Sequence, residues 1–317
     1  MATSEVFDDL ELKIIHALQL DGRAPFSKIA EVLGVSDQTV ARRYTRLRST
    51  KKIRVTGRTD PERVGEVSWF VRVRCTPDVA RTVGAALARR PDTSWVKLTS
   101  GGTEIVTVVR ASTSHDSETL LLEKLPRTPH VIDVKANCLL HVFFGGPQGI
   151  VDALSPEQIA WLQPPPPAAA TTEPVALDED DRHLIALLER DGRMDFTALS
   201  EATGRPATTV RRRLAELTAR GALYFDIDLD YRHLDMISQT MLWLSVAPDR
   251  ILTTGRALAS HPEVPFVAAT TGSTNLYASV LSPNPAALFT YLTTKVAALP
   301  AIQVMETAPV IQTLKNL

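Results

Sequence analysis

Residues 7–47 of the chain recur at residues 177–217, aligned without a gap at a spacing of 170 residues. The first copy is FDDLELKIIHALQLDGRAPFSKIAEVLGVSDQTVARRYTRL, and the second is LDEDDRHLIALLERDGRMDFTALSEATGRPATTVRRRLAEL. A second match follows at a spacing of 171 residues, where residues 86–109 align with residues 257–280. The chain is therefore a tandem duplication of a two-part unit, A–B–linker–A′–B′.

Composition limits the compartment and the partners of the chain. It has 317 residues, of which 44% are hydrophobic, and a formal net charge of −1, so any nucleic-acid footprint has to be local. Its two cysteines have no metal-type spacing and exclude a disulfide framework. The N-terminal segment does not resemble a signal peptide, and no apolar run is long enough to cross a bilayer. We therefore predict a cytoplasmic protein without a membrane partner.

Part A has the pattern of three helices. Apolar residues mark one face of each helix, and in the third helix Val40, Tyr44 and Leu47 lie at the spacing of one helical face. The second helix ends at Gly34, and Ser36 is placed to cap the third. A helix, a short turn and a capped helix form the helix-turn-helix pattern, and a short strand follows it.

Part B alternates in the manner of strands. WFVRVRC at 69–75 corresponds to MLWLSVA at 241–247. The predicted order is βαββαβ, a ferredoxin-like unit, with strands near 69–75, 94–99, 104–111 and 131–143 and helices near 79–90 and 116–125. We therefore predict an α+β fold with two winged-type helix-turn-helix domains, each followed by a βαββαβ domain.

The two halves are joined by PPPPAAATTEP at 164–174, a composition typical of an extended linker, and SPEQIAWLQ before it predicts a short helix. The predicted segments are a first helix-turn-helix domain at 1–60, a first βαββαβ domain at 61–150, a short helix and Pro-rich linker at 151–176, a second helix-turn-helix domain at 177–232 and a second βαββαβ domain at 233–317.

This order of motifs resembles the Lrp/AsnC family, the feast/famine transcriptional regulators of bacteria and archaea. FSKIAEVLGVSDQTVARRYTRL is similar to the family's helix-turn-helix signature, and LTSGGTEIVTVVRA and ATTGSTNLYASVLS are similar to a segment of its βαββαβ (RAM-type) domain. The chain departs from the family in carrying two units instead of one. The resemblance implies double-stranded DNA as a partner, self-association through the βαββαβ domains and a small-molecule effector, often an amino acid.

The outward residues at the start of the third helix are candidates for base contacts, because recognition helices contact bases with their N-terminal residues. In the first copy these are Gln38, Thr39 and Arg42; Gln suits adenine and Arg suits guanine. The further predicted DNA-binding residues are Arg43, Arg46, Lys51, Lys52, Arg54 and Arg58, with Thr208, Thr209, Arg211 and Arg212 in the second copy. The alternative is that Arg43 pairs within its own domain and the others form a solvated face.

The two copies differ in charge after the third helix. Residues 36–63 carry a formal charge of about +6, whereas residues 205–235, with the acidic segment DIDLDY, carry about +1. Phosphate contacts depend on positive charge. The difference favours the hypothesis that the first copy supplies most of the DNA affinity and that the second binds weakly or is structural.

Glycine-containing turns in part B are the candidate effector loops, because glycine lets backbone N–H groups approach a carboxylate. The alternative is a plain hairpin turn. The predicted effector-binding residues are Thr99, Gly101, Gly102, Thr103 and Glu104 in the first copy and Thr271, Gly272, Ser273 and Asn275 in the second.

Two other functions remain as alternatives. Siroheme decarboxylases share the two-part architecture and carry His residues in the strands of the second part, but the corresponding segments here, EVPFVAATTGS and TNLYASV, contain no His. A regulator that binds only protein partners is the other alternative. The sequence contains no P-loop, dinucleotide fingerprint, catalytic triad or metal-ligand cluster, so we predict no catalytic residues, no metal, no cofactor and no enzymatic activity.

Overall fold

A computed structural model describes residues 6–111, 119–144, 151–164 and 174–316. The chain forms two compact units, and each takes segments from both halves of the sequence. Unit 1 comprises Met1–Gly65 and Gly146–Leu234, and unit 2 comprises Glu66–Gly145 and Asp235–Leu317. The two helix-turn-helix segments therefore lie together in unit 1, and the two βαββαβ segments lie together in unit 2.

Unit 1 contains both predicted helix-turn-helix segments. Its helices are α1 (Asp9–Leu20), α2 (Phe26–Leu33), α3 (Asp37–Ser49), α4 (Pro61–Val64), α6 (Pro156–Leu162), α7 (Glu179–Arg190), α8 (Phe196–Thr203) and α9 (Ala207–Ala219); α5 (Pro77–Ala88) belongs to unit 2. Asp8 and Glu11 form a capping box at the start of α1, and Asp178 and Asp181 do the same for α7. Corresponding helices of the two copies thus begin with the same local chemistry.

The strand after each third helix pairs with its counterpart from the other copy. β1 (Ile53–Thr59) and β6 (Leu223–Leu229) form a two-stranded antiparallel sheet with Ile53 opposite Leu229 and Thr59 opposite Leu223. Apolar residues of both copies share one core, which includes Ile14, Leu18, Leu188 and Leu217. Because one core serves both copies, unit 1 is a paired structure within a single chain.

The short helix predicted before the linker is present as α6. Ser155 caps it with a capping box, and Leu162 is fully buried while Trp161 remains about half exposed. The Gln158 side-chain amide donates to the Val32 carbonyl of α2 at 3.0 Å. α6 therefore belongs to the core of unit 1 and contacts the first copy.

Unit 2 is a closed barrel with the strand order β10-β3-β4-β2-β5-β8-β9-β7. Its elements are β2 (Val67–Cys75), α5 (Pro77–Ala88), β3 (Thr93–Thr99), β4 (Glu104–Ala111), β5 (Val131–Phe144), β7 (Ser238–Val246), α10 (Ile251–Ala259), β8 (Phe266–Thr270), β9 (Leu276–Ser282), α11 (Pro285–Tyr291) and β10 (Ile302–Thr313). Each half contributes four neighbouring strands in the order of a ferredoxin-like βαββαβ unit.

The last strand of each half joins the two halves. β5 pairs with β2 of its own half and with β8 of the other, and β10 pairs with β7 and with β3. Part of the helix predicted near 116–125 falls on residues outside those described; the remainder forms a π-helical turn at Thr119–Lys124. Within the described ranges, no helix is both long enough and apolar enough to cross a membrane.

A cluster of side chains from both halves fills part of the barrel. It contains Phe70 and Val106 from the first half and Met241, Trp243 and Tyr277 from the second. The Phe70 and Trp243 rings meet edge to face with centroids 5.0 Å apart, an arrangement that aromatic pairs favour. This cluster is separate from the cores under the helices of each half, so the two halves are held together by side-chain packing as well as by strand pairing.

Candidate DNA-contacting helices and effector pocket

The inward face of α3 is the predicted one. Val40, Tyr44 and Leu47 are buried, and the Ser36 hydroxyl caps the helix by accepting from the Thr39 N–H at 3.2 Å. Thr39 is half-buried, with its hydroxyl 2.9 Å from that of Ser36. The predicted DNA-contacting residues that remain exposed on this helix are Gln38, Arg42 and Arg46.

Arg43 has a structural role in the first copy. Its guanidinium forms ion pairs with Asp8 and with Glu11, the two residues that cap α1. The corresponding Arg213 pairs with Asp181 at 2.5 Å. The hydrogen bonds that Arg213 donates to Asp181 raise the pKa of Arg213 above its usual value despite partial burial. The geometry therefore matches the alternative in which this arginine joins the third helix to the first.

The basic strand after α3 lies against the acidic strand after α9. Lys51 is exposed, but Lys52 is only 9% exposed and its ammonium lies 5.8 Å from the centre of the Phe7 ring. Arg54 forms an ion pair with Asp228 at 3.3 Å. The charge difference between the copies is thus complementary across the β1–β6 sheet, a pairing that the charges of each segment taken separately do not reveal.

Arg58 lies on the same strand and is half-buried. It faces the acidic partner strand, where burial raises the pKa of Asp226 and the charge of Arg58 opposes that rise. The structure therefore places Arg54 and Arg58 beside carboxylates of the second copy, whereas Lys51 extends into solvent.

The outward face of α9 has a composition different from that of α3. Thr208, Thr209, Arg211 and Arg212 are all exposed, as predicted for DNA contact. The Arg211 guanidinium lies 4.6 Å from the centre of the Phe196 ring, a cation–π contact that orients the side chain. Pro206 immediately precedes the helix, and its carbonyl accepts from the N–H groups of Thr209 and Val210.

A reciprocal pair of arginines holds the two copies together. Arg23 donates to the carbonyls of Gly192 and Met194 at 2.6 and 3.0 Å. Arg193 donates to the carbonyls of Gly22 and Ala24 at 2.7 and 3.0 Å. Burial lowers the pKa of both guanidinium groups. The same bonds in both directions define an approximate two-fold relation between the copies.

These arginines belong to the Asp-Gly-Arg triplet that both copies share, and the glycine of the triplet is also needed. A Cβ on Gly192 would lie 2.9 Å from the backbone of Thr56, which cannot move aside cheaply. The Arg193 guanidinium also lies 4.4 Å from the centre of the Phe26 ring. No function was predicted for this triplet from the sequence, although its identity in both copies was the available signal.

Unit 2 has a pocket of about 240 Å³ whose lining carries balanced charge. Its walls come from β2, the first glycine loop, β5 and β10. The lining residues are Arg72, Arg74, Ser100, Thr103, Glu104, Asp133, Lys135 and Glu306. Three of these side chains are cationic and three are anionic, so the pocket offers partners for both ends of a zwitterion.

Arg72 is the central group of the pocket. Its guanidinium donates to Glu104 at 2.7 Å and to Glu306 at 2.9 and 2.5 Å, and it lies 4.5 Å from the centre of the Trp243 ring. Burial alone would lower the pKa of Arg72, but the hydrogen bonds to Glu306 and Glu104 outweigh it and raise the pKa. Arg72 is therefore a fixed cation, and the bond to it holds the pKa of Glu306 below its usual range.

The first glycine loop is open towards this pocket. Thr103 and Glu104, both predicted to bind an effector, line it. Gly101 and Gly102 have φ of 74° and 83°, and a Cβ on either would meet no atom within 4 Å. The Thr99 hydroxyl is buried and lies 3.1 Å from the Glu104 carboxylate, so it orients that group. The structure thus brings part of the predicted first-copy set together at the pocket.

The second glycine loop is closed in the sense that it is bonded to β5 of the first half, although Thr271 and Gly272 are exposed to solvent. The Asn137 amide donates to the Thr271 carbonyl, and the Thr271 hydroxyl accepts from the Cys138 N–H at 2.8 Å. Gly272, with φ of 105°, lies against the Asn137 side chain. Asn275 bonds both the N–H and the carbonyl of Val246, and Ser273 is exposed. The predicted second-copy residues therefore do not line the pocket.

Several pocket residues were missed by the sequence analysis. Arg72 and Arg74 alternate with the core residues Val71 and Val73 in VRVRC, which was the available signal for a polar face. Asp133, Lys135 and Glu306 lie on two other strands and carried no local signal. In the described part of the chain, no group of three or more His, Cys, Asp or Glu side chains could hold a metal ion.

Comparison with known proteins matches both parts of the unit. The AsnC-type helix-turn-helix domain profile matches residues 7–48 and 177–218, and the Lrp/AsnC ligand-binding domain profile matches residues 239–317. Of the pocket residues, only Glu306 lies within that last segment. The profiles thus identify both helix-turn-helix segments and the second βαββαβ segment.

Curated relatives agree with these matches, and a solved structure shares the fold. The HTH-type transcriptional regulator FL11 of Pyrococcus horikoshii is 30% identical over 116 residues, 36% of this chain and 77% of that protein. Another HTH-type transcriptional regulator, from Pyrococcus furiosus, is 27% identical over 139 residues, 43% of this chain and 94% of that protein. The siroheme decarboxylase NirDL shares the fold, with a TM-score of 0.66 and 14% identity over 97% of this chain and 93% of that one. The chain belongs to the Lrp/AsnC family of transcriptional regulators, in a tandem-duplicated form.

Proposed function

We propose that the chain is a sequence-specific DNA-binding regulator in which one chain presents two DNA-contacting helices. The observation that carries the proposal is the reciprocal pairing of the two helix-turn-helix copies through Arg23 and Arg193. In dimeric helix-turn-helix proteins, two-fold pairing presents two recognition helices to successive half-sites of the DNA. Here the duplication supplies both helices in one chain, with Arg42 and Arg212 exposed on them.

Binding to a pool of fragments from the source genome tests this function. The double variant Arg42→Ala, Arg212→Ala removes one exposed cation from each helix and should weaken binding on the order of 10-fold or more, with a shallower salt dependence. The matched control is Arg81→Ala, Arg89→Ala, which removes the same charge from exposed positions on and just after α5 of unit 2. Equal losses in both variants would contradict the proposal.

We further propose that a small zwitterionic effector binds the pocket around Arg72. The support is its balanced charge and its volume of about 240 Å³, below the roughly 300–1,000 Å³ typical of sites for drug-sized ligands. Arg74 and Lys135 are exposed cations suited to a carboxylate, and Asp133 is an anion suited to an ammonium group. A free amino acid has this charge and this size. Its binding would act on DNA affinity by favouring one conformation or assembly over another.

The fold shared with a siroheme decarboxylase supports an enzymatic alternative at the level of architecture alone. A tetrapyrrole is larger than a drug-sized ligand, and no histidine lines the pocket around Arg72. Absorbance of the purified chain mixed with siroheme distinguishes the two functions. We expect the spectrum to equal the sum of its components; a shifted Soret band with turnover would favour the enzyme.

A further inference from the structure

The two DNA-contacting helices of one chain are paired but not identical. In a homodimer, two-fold symmetry gives both halves the same recognition residues and therefore suits a palindromic site. In this chain the pairing contacts are equivalent, since Arg23 and Arg193 make matching bonds to the opposite copy. The helices themselves have diverged, because each copy has its own sequence.

The positions that keep each helix in place have remained apolar. Val40 corresponds to Val210, and Leu47 to Leu217, and all four are buried. The arginine that pairs with the first helix of each copy is also retained. The two helices are therefore seated in the same way within their domains, so their outward residues occupy equivalent places.

Those outward residues differ at most positions. Only one exposed pair is retained, Arg42 with Arg212; the half-buried Thr39 and the exposed Thr209 also match. Between residues 37 and 46 the differing outward pairs are Asp37 with Ala207, Gln38 with Thr208, Ala41 with Arg211, Thr45 with Ala215 and Arg46 with Glu216. Divergence is thus concentrated on the face that is open to DNA, whereas the inward face stays apolar and differs only in Tyr44, which corresponds to Leu214.

The chemistry of the differing residues predicts different base preferences. Gln38 can make paired hydrogen bonds to adenine in the major groove, whereas Thr208 offers a methyl group suited to thymine. Arg46 is cationic, but the corresponding Glu216 is anionic and paired with Arg213 at 2.9 Å. A carboxylate there disfavours phosphate and accepts from cytosine instead.

We propose that the two helices recognise different half-sites, so that the operator of a single chain is non-palindromic and the chain binds it in one orientation. The proposal rests on the proposed DNA-binding function. It assigns the specificity to Asp37, Gln38, Ala41, Thr45 and Arg46 in the first copy and to Ala207, Thr208, Arg211, Ala215 and Glu216 in the second.

Selection of bound duplexes from a random-sequence library tests it with the full-length protein. Complexes that contain one chain per duplex are isolated by gel mobility and sequenced. The expected motif has two unlike half-sites, and replacing one half-site by the inverted repeat of the other should weaken binding on the order of 10-fold for each mismatched base pair. A palindromic motif would overturn the inference but leave the proposed function standing. A library without enrichment would overturn both.

Two conversion variants make the test reciprocal. The first gives α3 the outward residues of α9: Asp37→Ala, Gln38→Thr, Ala41→Arg, Thr45→Ala and Arg46→Glu. The second gives α9 the outward residues of α3: Ala207→Asp, Thr208→Gln, Arg211→Ala, Ala215→Thr and Glu216→Arg. All ten positions are exposed or half-exposed, so folding should be retained, which circular dichroism and thermal unfolding would verify. Each variant should select a palindrome, and the two palindromes should differ. Two variants that both select the wild-type motif would overturn the assignment.

Discussion

The two copies make equivalent contacts in unit 1, but their glycine loops have different contacts in unit 2. In unit 1 the copies make the same contacts in both directions, as the bonds of Arg23 and Arg193 show. In unit 2 the two glycine loops have different surroundings: no atom lies within 4 Å of the place of a Cβ on Gly101, whereas the Asn137 side chain occupies that place at Gly272. A pairing interface needs both of its halves to be preserved, whereas a duplicated binding loop leaves one copy free to change. The comparison indicates that symmetry was kept where it holds the chain together and lost where ligands are expected to bind.

The largest effect should come from breaking the symmetric pairing. Arg23→Ala and Arg193→Ala each leave two backbone carbonyls without their donor, so each should lower the free energy of unfolding by about 2–4 kcal/mol. Because the contacts are reciprocal, the two losses should agree to within about 1 kcal/mol. Urea denaturation measures both. Arg211→Ala is the control, since this exposed arginine makes a cation–π contact worth about 0.5–1 kcal/mol.

A smaller effect should distinguish the two glycine loops. Gly101→Ala places alanine at a positive φ in open space, which should cost about 1 kcal/mol. Gly272→Ala adds a clash with the Asn137 amide and breaks its bond to Thr271, so it should cost about 2–3 kcal/mol. Chemical denaturation of both variants, with Asn137→Ala as a control for the lost bond, measures the difference. Equal costs at the two glycines would contradict the open and closed assignment.

We expect a ligand to bind at the pocket beside the first glycine loop and not at the second glycine loop. A thermal-shift screen with the free L-amino acids identifies the probe, and calorimetry then gives its affinity and stoichiometry. Arg74→Ala or Lys135→Ala should weaken binding about 10-fold, because each removes a charged hydrogen bond worth about 1.5–3 kcal/mol. Ser245 occupies the position of Arg74 in the second half, so Ser245→Ala should leave affinity unchanged. We expect one ligand per chain; two equivalent sites would show that the second loop also binds.

The smallest effect concerns an asymmetry within unit 1. His16 Nδ1 accepts from the N–H groups of Ala153 and Leu154 at 3.1 and 3.2 Å, and the second copy has Ala186 at this position. Burial lowers the pKa of His16, and Asp152 opposes the change. The neutral ring is therefore the bound form, and its stabilisation is complete above pH ~6.5 and is lost as the pH falls through the lower folded-state pKa.

His16→Asn keeps an acceptor at this place but does not titrate. The free energy of unfolding of the variant should thus fall less between pH 7.5 and 5 than that of the wild type, by about 1 kcal/mol or less. The difference between the two proteins is the relevant quantity, since burial also lowers the pKa of His261 in unit 2 and contributes to both. Identical pH profiles would show that His16 does not stabilise this contact.

Local patterns in the sequence predicted the elements and their inward faces. The buried positions of α3, the Ser36 cap and the strand order of each βαββαβ unit follow from periodicity and from the repeat. These features depend on residues that are close in the sequence or on the repeated motif. The amino-acid sequence alone is therefore sufficient to predict them.

Contacts between the two copies could not be predicted from such local patterns. The acidic strand that argued against DNA binding by the second copy is the partner of β1, and its Asp228 forms an ion pair with Arg54, so part of its charge is neutralised by the first copy. The closure of the second glycine loop depends in the same way on Asn137, which lies in the other half of the chain. The hypothesis of one dominant DNA-binding copy stays a prediction, because Arg46 and Glu216 still differ in charge on the two helices, and both helices are candidates for DNA contact.

The pairing of the two copies within one chain is tested most directly by a cross-link between β1 and β6. Arg54 and Asp228 are opposite each other in the sheet, with side chains in contact, so that cysteines at both positions should form a disulfide. The variant Arg54→Cys, Asp228→Cys is made in a Cys75→Ala, Cys138→Ser background, diluted to nanomolar concentration and oxidised. We expect chains of monomeric mass with both thiols lost. Disulfide-linked pairs of chains without the internal link would show that the copies pair between chains and would contradict the account.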